Sequence, residues 1–113
     1  MEAFGETIRN LRNAQKRSLR EVAARVGISP AYLSRIEHGK EAPPSPEVIL
    51  ELCKSLNAEP DALFPLTHKA DPDIVKFINE QPLMLRLIRY LKLAKFSETE
   101  IKEVLRFAEK LKA

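Results

Sequence analysis

The chain has 113 residues, 44% hydrophobic and 31% charged, long enough to bury a core without disulfide or metal staples. Its single cysteine, Cys53, excludes an intrachain disulfide framework and points to a reducing, cytoplasmic compartment. The net charge is only +3, but residues 1–40 hold eight Lys/Arg against four Asp/Glu, whereas residues 41–70 hold two against five. A positive excess in the first third favours an anionic partner there, with a solvated basic face as the plain alternative. No uninterrupted apolar run reaches about 18 residues, so no membrane span is expected. The opening MEAFGETIRN carries acids and no apolar run, so no secretory leader is expected either.

Only three glycines are present, and the chain reads as all-α from end to end. Phe4, Ile8 and Leu11 recur at helical spacing, which predicts a first helix over about residues 3–16. SLRE, residues 18–21, has the form of a capping box, with Ser18 and Glu21 bonding each other's backbone amides. Leu19, Val22, Ala23 and Val26 follow on one face until Gly27 ends the second helix. Ser29 and Pro30 supply a cap and a first helical residue for a third, with Leu33 and Ile36 inward and Gly39 as its stop.

The Pro-rich stretch EAPPSPE reads as a loop. Ser45 and Pro46 open a fourth helix, with Val48, Ile49, Leu52 and Leu56 inward, Cys53 as small buried filler and Asn57 at the end. EPDALF reads as one more turn. A linker is expected over 67–72, separating a domain of residues 1–66 from C-terminal helices over 73–113. Asp71 and Pro72 cap the first of those, with Ile74, Phe77 and Ile78 inward. Gln81 and Pro82 begin a strongly apolar helix, and SETE, residues 97–100, is a second capping box.

Two short helices joined at Gly27, with small Ala23 at the crossing and Ile28, Leu33 and Ile36 pinning the second helix, have the geometry of a helix-turn-helix. The run SLREVAARVGISPAYLSRIEHGK, followed by PPSPEVILELCKSLNAEPDALF, closely resembles the DNA-binding domain of phage Cro and repressor proteins, the XRE family. The resemblance covers roughly residues 4–66, five helices, and not the last forty-odd. It implies a sequence-specific transcriptional regulator, a repressor, that binds a palindromic operator on double-stranded DNA as a homodimer.

On that reading the 29–38 helix enters the major groove, presenting Ala31, Ser34 and Arg35 to base edges. Arg35 suits a bidentate pair with guanine O6 and N7, Ser34 suits several bases and Ala31 a thymine methyl. A phosphate contact or a solvated charge is the alternative for Arg35. Pro30 stands where some relatives carry an amide side chain and offers no hydrogen bond, so shape readout is expected to contribute. Phosphate contacts are assigned to Ser18, Arg20, Ser29, Tyr32, His38 and Lys40, with rim packing the alternative for Tyr32. Similar domains pair an arginine of the first helix with the glutamate before the HG turn, which here implies a structural ion pair between Arg12 and Glu37.

In the last third, Leu83, Leu87, Tyr90 and Leu91, then Val104, Phe107 and Leu111, cover more apolar surface than one packing face requires. These seven residues are assigned to a homodimer interface; folding back onto the first domain is the alternative. An antitoxin, or another module whose C-terminal helices hold a partner protein, is the rival function. His38 and His68 show no metal spacing and no nucleophile–base pairing, so no enzyme, metal or cofactor is expected.

Overall fold

Eight α-helices and one 3-10 turn, with no strand, make up the described residues, 2–113, of the computed structural model. They divide between Val75 and Lys76 into two compact units. The first contains α1 (Glu2–Ala14), α2 (Leu19–Val26), α3 (Pro30–Glu37), α4 (Pro46–Leu56), α5 (Pro60–Leu63) and a 3-10 turn at Phe64–Leu66. Helix α6 (Pro72–Glu80) is followed by α7 (Pro82–Leu93) and α8 (Glu98–Lys112). None of these helices is long and apolar enough to cross a membrane.

The core of the first unit follows the helical spacing of its apolar residues. Phe4 and Ile8 of α1, Val22, Ala23 and Val26 of α2, Leu33 and Ile36 of α3, and Ile49, Leu52, Cys53 and Leu56 of α4 are buried together with Leu63 and Phe64. Helix α3 packs on α1 and α2, and α4 on α2 and α5. Each fully buried Leu or Ile removes enough apolar surface from water to stabilise the fold by about 1.5–3 kcal/mol before ordering costs.

Local signals decide where the helices start and stop. The hydroxyls of Ser18, Ser29 and Ser45 accept from the amides of Glu21, Tyr32 and Val48. Pro30, Pro46, Pro60 and Pro82 occupy first-turn positions, where a missing N–H costs nothing. Gly27 (φ 84°) and Asn57 (φ 53°) take left-handed backbone at the ends of α2 and α4. The capping box expected at 18–21 forms only by half: the Glu21 carboxylate lies 3.7 Å from Arg17 Nε, drawn to a cation instead of the cap amide. At Ser97 both halves form, and the Ser97 amide bond holds the Glu100 carboxyl below its ordinary pKa.

The expected linker at 67–72 opens with ordered, bonded residues. Thr67 is buried and donates to the Phe64 carbonyl at 2.8 Å, while Lys69 Nζ donates to the carbonyls of Pro43 and Pro44.

In the second unit the rings of Tyr90 and Phe96 meet at a steep angle of 67°, with centres 5.9 Å apart. The turn after α7 is closed by the Phe96 amide donating to the Leu91 carbonyl, with Lys95 at φ 56°. Met84, Leu91, Phe96 and Val104 are half-buried, and Leu83, Leu87, Tyr90, Phe107 and Leu111 are exposed. Helix α6 departs from expectation. Of its three apolar residues expected inward, Ile74 and Phe77 are about half exposed (53% and 48%), and only Ile78 is half-buried.

Candidate nucleic-acid interface

Helix α3 carries two unlike faces. Leu33 and Ile36 are sealed against α1 and α2, and Glu37 is also buried. On the outer side Ala31 and Arg35 are exposed and Ser34 is half-buried. Residues three and four apart share a helix face, so these three side chains form one short row.

The inner face is locked by charge as well as by packing. Arg12 Nε and Nη2 donate to the two carboxylate oxygens of Glu37, each at 2.8 Å, and Arg12 Nη1 donates to the Arg17 carbonyl at 2.9 Å. The bonds to Glu37 raise the Arg12 pKa above its ordinary value, against the opposing effect of burial. Three donors of one guanidinium thus tie α1, the α1–α2 turn and the end of α3 together. Gly5 permits that approach: a Cβ there would meet the backbone carbonyl oxygens of Ile36 and Glu37, the latter at 2.8 Å.

Sequence charge overstates the free positive surface. Arg12 is committed to Glu37, and Arg17 donates to the Ser55 carbonyl and, at 3.2 Å, to its hydroxyl. Gln15 adds a bond to the Leu56 carbonyl at 2.7 Å, so the α1–α2 turn is fastened to the end of α4. Arg20 and Lys40 are exposed and form no ion pair among the described residues. Arg35 is paired: its Nε lies 3.1 Å from Glu41 Oε1, and its Cζ lies 5.9 Å from the centre of the Tyr32 ring. Spacing gave no notice of Glu41, which sits in the loop beyond Gly39.

The remaining polar groups have defined states. Ser18 and Ser29 use their oxygens as helix caps, which leaves each hydroxyl proton to donate outward. His38 is exposed with Nδ1 2.8 Å from the Ser34 carbonyl. A carbonyl only accepts, so Nδ1 carries the proton in the neutral ring, and Nε2 can donate to a phosphate only from the doubly protonated ring. Burial pushes the Cys53 thiol up, which keeps it protonated and unreactive.

A two-helix unit turned at Gly27, with Ala31, Ser34 and Arg35 in an outward row on its second helix, defines a helix-turn-helix protein of the XRE type. The chain belongs to the helix-turn-helix domain family, which matches residues 3–66. It is 43% identical over 56 residues to the HTH-type transcriptional repressor RghR of Bacillus subtilis, covering 50% of this chain and 42% of that one. To the transcriptional regulator ClgR of Mycobacterium tuberculosis it is 40% identical over 55 residues, covering 49% and 48%. The chain thus aligns with a little under half the length of these curated relatives. Among solved structures, the clp gene regulator ClgR from Corynebacterium glutamicum superposes with a TM-score of 0.52 at 27% identity, covering 82% of this chain and 90% of the other. The SinR protein/SinI protein complex shares the fold, with a TM-score of 0.53 at 23% identity and coverage of 96% and 97%.

Proposed function

We infer that this chain is a sequence-specific double-stranded DNA-binding transcriptional regulator, a repressor, acting on a palindromic operator as a homodimer. The observation that carries this reading is the row Ala31, Ser34 and Arg35, displayed on a helix whose opposite face is buried and clamped by Arg12 and Glu37. A rigidly seated helix can present side chains to base edges at the accuracy that direct readout requires. The names of the relatives, RghR a transcriptional repressor and ClgR a transcriptional regulator, support the same reading.

In this reading Arg35 pairs with a guanine, Ser34 bonds a neighbouring base edge and Ala31 meets a thymine methyl. Ser18, Arg20, Ser29, Tyr32, His38 and Lys40 hold the phosphates on either side, with Ser18 and Ser29 donating their hydroxyl protons. The exposed apolar residues Leu83, Leu87, Tyr90, Phe107 and Leu111, with half-buried Leu91 and Val104, supply the dimer contact. A two-fold dimer matches half-sites about 34 Å apart.

Gel-shift titration across salt tests the reading. Arg20 and Lys40 from two protomers neutralise phosphates, and His38 adds to them when its ring is doubly protonated, so log K against log salt should fall with a slope of roughly −4 to −5. Binding at low salt should be micromolar or tighter for a selected duplex. Indifference to salt, or no preference over random DNA, contradicts it and favours the protein-holding alternative.

A further inference from the structure

Glu41 lies just past the turn that ends α3. The amides of Lys40 and Glu41 both donate to the Arg35 carbonyl, at 2.8 and 3.3 Å, so the chain folds back onto the last turn of α3. That return sets the Glu41 carboxylate beside Arg35, with Oε1 3.1 Å from Nε. Tyr32, one turn earlier, lies against the same guanidinium. Arg35 is therefore held along one edge by an anion and across one face by a ring.

The edge that is held matters. Nε carries the bond to Glu41, and the two terminal nitrogens make no other bond among the described residues. They remain as a pair of parallel N–H donors pointing along the side chain. Guanine offers two adjacent acceptors, O6 and N7, in the major groove, which matches such a pair end-on. A phosphate could otherwise capture the same fork. A carboxylate beside it disfavours the approach of a second anion.

On the reading that Arg35 contacts a base, we propose that Glu41 is a positioning residue that sets sequence selectivity. It fixes the Arg35 fork in the end-on pose for guanine and keeps it off the phosphate backbone. The device exchanges non-specific affinity for discrimination. Both partners are substantially exposed, so the pair adds little to folding, and its effect falls on binding.

The test uses the full chain, a duplex selected from a random pool by the wild type, its single-base variants, and a random-sequence duplex at fixed salt. Arg35→Ala first locates the guanine whose replacement no longer matters. At that position Glu41→Ala should reduce the preference for guanine by roughly 5- to 10-fold and tighten binding to the random duplex. Glu41→Gln keeps an oxygen that accepts from Nε, so it should retain most of the guanine preference while binding random DNA more tightly. Melting temperatures of both Glu41 variants should stay near wild type. If Arg35→Ala removes the guanine preference and Glu41→Ala leaves it intact, Glu41 is a bystander and the proposal fails alone. If Arg35→Ala changes no base preference, base reading by Arg35 fails and the proposal falls with it.

Discussion

Arg12 of α1 and Glu37 of α3 form a two-bond ion pair in which the Glu37 side chain has no solvent exposure and Arg12 retains 12%. It joins residues 25 apart in sequence and holds the end of α3 to α1. Removing one partner strands the other charge in a poorly solvated place. Glu37→Gln should cost about 3 kcal/mol, lowering Tm by on the order of 10 °C or more in a domain this small. Replacing both residues with apolar ones of similar volume should recover much of that loss. Thermal melts of the single and double variants check it, and an unchanged Tm for Glu37→Gln would remove the ion pair from the account.

Gly5 gives a prediction of opposite sign to helix propensity. In an open helix position Gly→Ala gains up to about 1 kcal/mol. Here the new methyl would press on the backbone oxygens of Ile36 and Glu37, which no rotamer change can relieve. Gly5→Ala should therefore lower stability by roughly 1–3 kcal/mol and shift α3 enough to weaken DNA binding. A raised Tm would show that α1 and α3 are not packed this closely.

Helices α7 and α8 predict an oligomeric change. Leu83, Leu93 and Leu111 remain about 70% exposed, a poor outcome for leucines unless another surface covers them. The full chain should sediment as a dimer, and a chain ending at Val75 should remain folded and monomeric. Leu83→Glu with Phe107→Glu should give a folded monomer, because both side chains are largely exposed and their loss opens no cavity. A persistent dimer in either would place the contact elsewhere.

Most of the first unit was legible because its signals are local. Serine caps, first-turn prolines, Gly27 and Asn57 mark the helix ends, and apolar spacing marks the buried faces. What spacing could not give was long-range or two-sided. Gly5 lies inside α1, where local sequence gives no reason for a glycine, and the close approach of the α3 carbonyls supplies one. Arg17 adds to the sequence charge, but its guanidinium is bound to Ser55, 38 residues away along the chain. Glu21 met the capping-box pattern, yet Arg17 draws its carboxylate away, since the motif does not encode a competing cation next door. In α6 the periodicity of Ile74 and Phe77 was real, but periodicity states which residues share a face and not what covers it.

Selection of bound duplexes from a random DNA pool by the full chain tests the central claim most directly. The predicted result is a two-fold symmetric site with guanines at matched positions in half-sites about one helical turn apart, and loss of those guanines when Arg35→Ala is selected in parallel. Recovery of sequences no different from the starting pool would contradict it.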